Sequence, residues 1–327
     1  MSNASPQKIG NNMDRARAVF VAHHHSGRDV CINKMVEAGI KPTTSNTYYV
    51  TLLKNEITSV PNVPVVATQV EDESVVKARI TERFDAMELM VESTILGLNR
   101  ALIISGPPGL GKSYGVMKKA KENEMLGRNI VQIQGNVGAT GLYRSLYENR
   151  GDRDTIVFDD ADAIFSDEIS LNILKAACDS TKSRYINWLK EIKMEDDSGT
   201  KLPRRFEFDG SIIFITNKDF DAMIARDNKL VPHLSALMSR AMYLDLMLKT
   251  PRDYLIRIKQ VLFDLKMYEQ QNLTLTEAED IMKFVEANVD KFRECDLSLR
   301  LVIKISNWFK SDPCNWKRWS EMTFFRH

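Results

Sequence analysis

Apolar positions change their period along the chain, and the changes divide it into regions. Within residues 13–24, Ala16, Val19, Phe20 and Ala22 recur at helical spacing, and Val30, Ile32, Met35 and Val36 do so within 29–38, where Gly39 is placed to end the helix. A third helix is expected from Thr43 or Thr44 to about Lys54. The period is then lost across a stretch containing Pro61 and Pro64, which reads as a linker. It returns in residues 72–98, where Val76, Ile80, Phe84, Met87 and Met90-Val91 follow at steps of three and four, the mark of a long amphipathic helix.

After that helix come short, mostly apolar runs at 101–104, 155–158 and 211–215 and a strand at Asn129–Gln134, separated by helical patterns over 114–125, 141–148 and 167–179, the last capped by Ser166. Strands without polar alternation, interleaved with helices, predict a parallel sheet buried on both faces. Residues 184–192 and 202–208 flank the turn-rich Glu195-Asp196-Asp197-Ser198-Gly199-Thr200 and predict a β-hairpin inserted before the last of these strands. From Pro251 the period is helical again, over 254–267, 276–289 with Thr276 as cap, and 297–309. The expected organisation is a small all-α domain (1–58), a linker (59–71), an α/β domain (72–248) and a helical lid (249–327).

Composition narrows the function classes. Lys and Arg number 45 against 44 Asp and Glu, a net charge of +1, so the whole chain is not drawn to nucleic acid or anionic membrane. Residues 1–60 alone carry seven basic residues (Lys8, Arg15, Arg17, Arg28, Lys34, Lys41, Lys54) against four acidic ones. With their helix, glycine turn, helix outline they resemble a helix-turn-helix, in which Thr43, Thr44, Ser45, Asn46 and Lys41 would meet a duplex; a protein-docking module has the same outline. The four cysteines contain no C-x-x-C pair, which fits reduced thiols, and no apolar run reaches membrane-spanning length, so a cytoplasmic protein is expected. His23-His24-His25 cannot converge on one metal ion, because successive helical residues point about 100° apart.

The chemistry is concentrated at Gly106-Pro107-Pro108-Gly109-Leu110-Gly111-Lys112-Ser113, followed by Tyr114. It satisfies G-x-x-x-x-G-K-[ST] between a strand and a helix. The glycines let backbone N–H groups close around phosphates, and the helix N-terminus adds a favourable dipole. Lys112 would reach the β- and γ-phosphates and Ser113 would take a place on Mg²⁺. The 155–158 strand ends in Asp159-Asp160, where a cation and an attacking water must be managed: Asp159 is the candidate on the metal side, and Asp160 the candidate that polarises the water.

Strand, phosphate loop, then strand with paired acids resembles the AAA+ ATPase superfamily, including members carried by phages and mobile elements. The usual second acid there is Glu, where this chain has Asp160. The resemblance implies ATP and Mg²⁺ as cofactors, and Asn217, at the end of Ser211-Ile212-Ile213-Phe214-Ile215-Thr216, as the polar sensor of the γ-phosphate. It implies Arg240, ending Leu234-Ser235-Ala236-Leu237-Met238-Ser239, as an arginine finger acting on a neighbouring subunit, with Arg226 and Arg184 in reserve. Arg300 would be the lid arginine that reaches the γ-phosphate, and Trp188, Lys190 and Lys193 of the hairpin would be contacts in a ring's pore, if the hairpin is not a plain surface feature. Gly135-Asn136-Val137-Gly138, at the usual pore-loop position, lacks the aromatic of protein-unfolding rings. Trp308, Trp316 and Trp319, with Lys317 and Arg318, form either a stacking tail or packing for the last lid helix. The resemblance implies ATP hydrolysis by a homo-oligomeric ring of six, coupled to remodelling or loading on nucleic acid, with DNA as the partner, or else to remodelling of a protein client docked through the N-terminal domain.

Overall fold

The computed structural model describes residues 15–16, 18–20, 28–41, 44–45, 48–49, 71–189, 195, 201–225, 229–293 and 296–326. The histidine run, Lys190, Lys193 and Arg226 lie outside them, as do most of the linker and Thr43 and Asn46. Two compact units are present, Met1–Glu71 and Asp72–His327.

In the first unit, helix α1 (Arg28–Glu37) ends at Gly39, whose φ of 85° is the left-handed turn that a Cβ would oppose. Residues 15–16, 18–20, 44–45 and 48–49 are also helical. Ala16, Phe20, Cys31, Met35, Ile40 and Tyr49 form a small core, with the Phe20 and Tyr49 rings edge to face at 5.4 Å. Ser45, expected at a duplex, is instead buried, its hydroxyl donating to the Lys41 carbonyl at 3.1 Å.

The second unit begins with α2 (Glu73–Ile95), capped by Asp72, whose carboxylate accepts from the Ser74 N–H at 2.7 Å. Then follow β1 (Ala101–Ser105), α3 (Lys112–Glu124), β2 (Asn129–Gln134), α4 (Ala139–Glu148), β3 (Asp154–Asp159) and α5 (Glu168–Ala177). The hairpin strands β4 (Tyr185–Asn187) and β5 (Arg205–Glu207) precede β6 (Ser211–Thr216), α6 (Phe220–Ala225), α7 (Val231–Met238) and β7 (Met242–Asp245). The segment expected to be a lid, which the structure holds in the same compact unit as the sheet, comprises α8 (Pro251–Lys259), α9 (Met267–Gln270), α10 (Leu275–Ala287), α11 (Leu299–Ser311) and α12 (Trp316–Phe324).

The five long strands form one parallel sheet in the order β2-β3-β6-β1-β7. Its side chains alternate between two cores. Leu102, Ile104, Val157, Ile213 and Leu244 join α2, α3 and the lid on one face; Ala101, Ile103, Ile156, Phe158 and Phe214 join α4 and α5 on the other. Burial on both faces is why β1, β3 and β6 read as apolar runs, whereas the edge strands β2 and β7 are partly exposed. Gly115 lets α2 approach α3, since a Cβ there would stand 2.7 Å from the Met87 methyl.

Three helix starts differ from expectation, each for a capping reason. Asp167, not Ser166, caps α5, its carboxylate accepting from the Ser170 N–H at 2.9 Å. Thr274, not Thr276, caps α10, although each has a glutamate three residues on: the helix starts at Leu275, and Glu277 accepts from the Thr274 N–H at 2.7 Å in a capping box. The helix expected over 254–267 starts earlier, at a second capping box of Thr250 and Asp253, and stops earlier. It passes into a π turn over Gln260–Asp264 and breaks at Lys266, which is left-handed at φ 55°.

The hairpin is present, but Trp188 is not available to a pore. It is 6 % exposed and its ring lies 5.5 Å from that of Tyr143. Trp316 is likewise packed, against Phe284 and Phe309, and Trp319 donates to Asp312 at 2.9 Å, so two of the three tail tryptophans hold the lid together. Arg184 is excluded as a finger: 1 % exposed, it donates to the carbonyls of Ala177 and Gly210 and joins α5 to the approach of β6.

Candidate nucleotide-binding site

The loop from Gly106 to Gly111 links the C-terminal end of β1 to α3, so the first N–H groups of α3 are directed into a cavity of about 180 Å³. Gly109 and Gly111 have φ of 72° and 98°, and a Cβ on Gly109 would lie 2.9 Å from the Ser298 Cβ at the start of the lid helix α11. The Leu299 N–H donates to the Gly109 carbonyl at 2.9 Å, which seats α11 on the loop. Pro108, Gly111, Lys112, Ser113, Asp160, Asn217 and Arg300 all line the cavity. Sequence positions nearly two hundred residues apart thus meet at one point.

Lys112 is 5 % exposed, and its ammonium donates to the carbonyls of Gly106 (2.6 Å) and Pro107 (2.8 Å) and to Asn217 Oδ1 (2.8 Å). Burial pulls its pKa down to about 8, against the opposing attraction of Asp160 and Asp159. The other end of the Asn217 amide donates to Asp160 Oδ1 at 2.8 Å. Asn217 therefore bridges the lysine and the second acid. Asp160 has φ 54°, a left-handed conformation costing about 1 kcal/mol, and its N–H donates to the Ile215 carbonyl at 3.1 Å. That turn swings Asp160 to the open side of the strand end, away from Asp159.

Asp159, 4 % exposed, accepts from the Ser113 hydroxyl at Oδ1 (2.9 Å) and from the amides of Gln132 and Gln134 at Oδ2 (3.0 Å each). A serine oxygen and a carboxylate side by side suit Mg²⁺, which keeps several waters and takes its remaining ligands from phosphates. Among the described residues no cluster of three or more His, Cys, Asp or Glu offers a closed metal cage.

A second cavity of about 480 Å³ adjoins the first through Gly111, Tyr114 and Leu299. Its walls come from α2, α3 and the lid: Phe84, Met87, Arg257, Gln260, Val261 and Ile303. Arg257 stacks 3.3 Å above the Phe84 ring, and burial brings its pKa down to about 10. No local motif marks these residues as a site, because α2 and α8 meet only in the folded chain, where Arg79 also bonds Asp253 at 3.3 Å.

Arg240 is not among the residues lining either cavity. It follows α7, where it reaches Asp179 at 3.4 Å and donates to the Ala236 carbonyl at 2.7 Å. Among the described residues no helix is long and apolar enough to cross a membrane.

A phosphate loop after β1, paired acids after β3 in a sheet ordered β2-β3-β6-β1-β7, a polar residue after β6, and helices seated on the loop make up the P-loop α/β fold that the sequence resemblance implies. The chain is 35% identical over 242 residues to the uncharacterized 36.7 kDa protein in the nrdC-mobD intergenic region of Enterobacteria phage T4, covering 74% of this chain and 73% of that one, and it belongs to that protein's family. No family model matches it. Solved structures similar to it include domain III of the Thermotoga maritima replication initiation protein DnaA (14% identity, TM-score 0.47, 76% of this chain and 92% of that one). The Thermotoga maritima RuvB Holliday junction branch migration motor is also similar (14% identity, TM-score 0.41, 77% and 69%).

Proposed function

We propose that the chain hydrolyses ATP with Mg²⁺, and the observation that carries this is Asn217 joining Lys112 to Asp160 across the mouth of the phosphate cavity. The N–H groups of the loop and the Lys112 ammonium hold the β- and γ-phosphates. Phosphate oxygens replace the Gly106 and Pro107 carbonyls as acceptors for Lys112. Asp160 accepts a proton from the attacking water while Asn217 fixes the direction of its carboxylate. Ser113 and Asp159 would hold the cation, which would supply charge neutralisation for the phosphate. Arg300 closes over the γ-phosphate from the lid, and the larger cavity takes base and ribose. Phosphate release in excess Mg²⁺, compared with excess chelator, tests the reading; equal rates would refute it.

Arg240 does not line its own chain's phosphate cavity, and we read it as acting on a neighbouring subunit's site in a homo-oligomeric ring of six. Mixing Arg240→Ala subunits with Lys112→Ala subunits is expected to restore part of the hydrolysis that each lacks alone. Full-rate hydrolysis by a monomer in ultracentrifugation would contradict the ring.

The ring acts on DNA through the first unit, which exposes Lys34 and Lys41 beside α1 and its turn. Contacts to two or three phosphates predict that duplex affinity drops by roughly tenfold or more between ~50 and ~200 mM salt. Removing residues 1–60 is expected to abolish binding and leave basal hydrolysis near normal, as read by fluorescence anisotropy and phosphate release. A truncated protein that binds DNA as well as the whole chain would turn the first unit into a protein-docking module.

A further inference from the structure

Gln132 and Gln134 were given no role by the sequence, yet both side chains converge on the carboxylate that faces Ser113. They stand two residues apart on β2 and so share a face of the strand, and the register pairs Gln134 directly with Asp159. β2 is an edge strand and both glutamines are exposed residues, yet the amide of each bonds Asp159. An ionised carboxylate only accepts hydrogen bonds, so each glutamine presents its NH₂ to Asp159 Oδ2.

We infer that Gln132 and Gln134 are positioning residues that orient Asp159 for the cation, an inference that rests on the Mg²⁺ site proposed above. Asp159 is 4 % exposed, so water cannot satisfy Oδ2 and the protein must. Two amides on Oδ2 prevent the carboxylate from turning to offer both oxygens at once. They leave Oδ1 to accept from the Ser113 hydroxyl, which frees a lone pair of Ser113 Oγ for the metal. Asp160, by contrast, is turned out of the strand and held by Asn217, so the two acids are steered by different amides toward different tasks. Groups that orient a metal-holding carboxylate commonly carry about ten- to a hundredfold of the metal's affinity.

The test replaces Gln132 and Gln134 by methionine, singly and together, because methionine keeps the length and unbranched shape while removing the donors. The probe is Mn²⁺ in the presence of ADP, followed by the loss of the free-ion electron paramagnetic resonance signal. The double variant is expected to bind Mn²⁺ about tenfold or more weakly, and each single variant less so. Affinity for ADP without metal, and the melting temperature, are expected to stay at the wild-type values, which a merely structural role would not give. Wild-type Mn²⁺ affinity in the double variant would overturn the inference while leaving the site reading intact. A wild-type protein that binds ADP equally with and without Mn²⁺ would remove the metal site, and the role of the glutamines with it.

Discussion

Lys112→Ala is expected to weaken nucleotide binding by roughly a hundredfold or more. Two charge-assisted hydrogen bonds, one to each of the β- and γ-phosphates, are worth about 1.5–3 kcal/mol apiece, and ~3 kcal/mol in total already corresponds to that factor. The site makes the loss specific. The ammonium is buried, pulled down to about 8 by desolvation, and satisfied only by two loop carbonyls and Asn217. An arriving phosphate offers full negative charge where these offer partial charge. Alanine removes the cation and also leaves the Gly106 and Pro107 carbonyls facing the incoming phosphate oxygens, two acceptors against an anion. Titration with a fluorescent ATP analogue measures the effect, with circular dichroism as the check on folding. Unchanged affinity in a folded variant would remove Lys112 from the site.

Asp160→Asn separates binding from turnover. The carboxamide has nearly the volume of the carboxylate, and asparagine accepts the left-handed backbone at φ 54° as readily as aspartate. Its carbonyl oxygen can still accept from Asn217 Nδ2, so the bridge to Lys112 stands. Only the ability to take a proton is lost. Turnover is expected to fall by about 10²–10⁴, the usual contribution of a positioned base, with nucleotide affinity close to that of the wild type. Steady-state phosphate release beside an equilibrium titration reads both quantities. Wild-type turnover would leave the water to be activated by another group.

The short Asp at this position in place of Glu is the departure that the sequence brought into view, and the structure supplies its setting. Asp160 lines the cavity from a backbone that turns left-handed immediately after β3. That turn is held by a hydrogen bond from its N–H to the Ile215 carbonyl on the neighbouring strand. No sequence pattern marks it.

What the sequence determined by itself is everything whose cause is local or periodic. The central strands announce themselves as apolar runs, because both their faces are covered, and the phosphate loop announces itself because few residue types can close backbone around an anion. Helix ends were legible to within a few residues, and were misjudged where two hydroxyl or acidic side chains competed for one cap, as at Ser166 and Asp167, or Thr274 and Thr276. Tertiary structure alone decided which polar side chains face one another. Trp188 and Arg184 look solvent-ready in the chain, yet the hairpin folds Trp188 onto Tyr143, and Arg184 is drawn in to satisfy two buried carbonyls. Gln132, Gln134, Phe84 and Arg257 carry no motif, and their placement follows from strand order and from the packing of α2 against the lid. Such contacts depend on the direction of a side chain across a sheet or between helices, which hydrophobic burial sets only once the whole chain has collapsed around its cores.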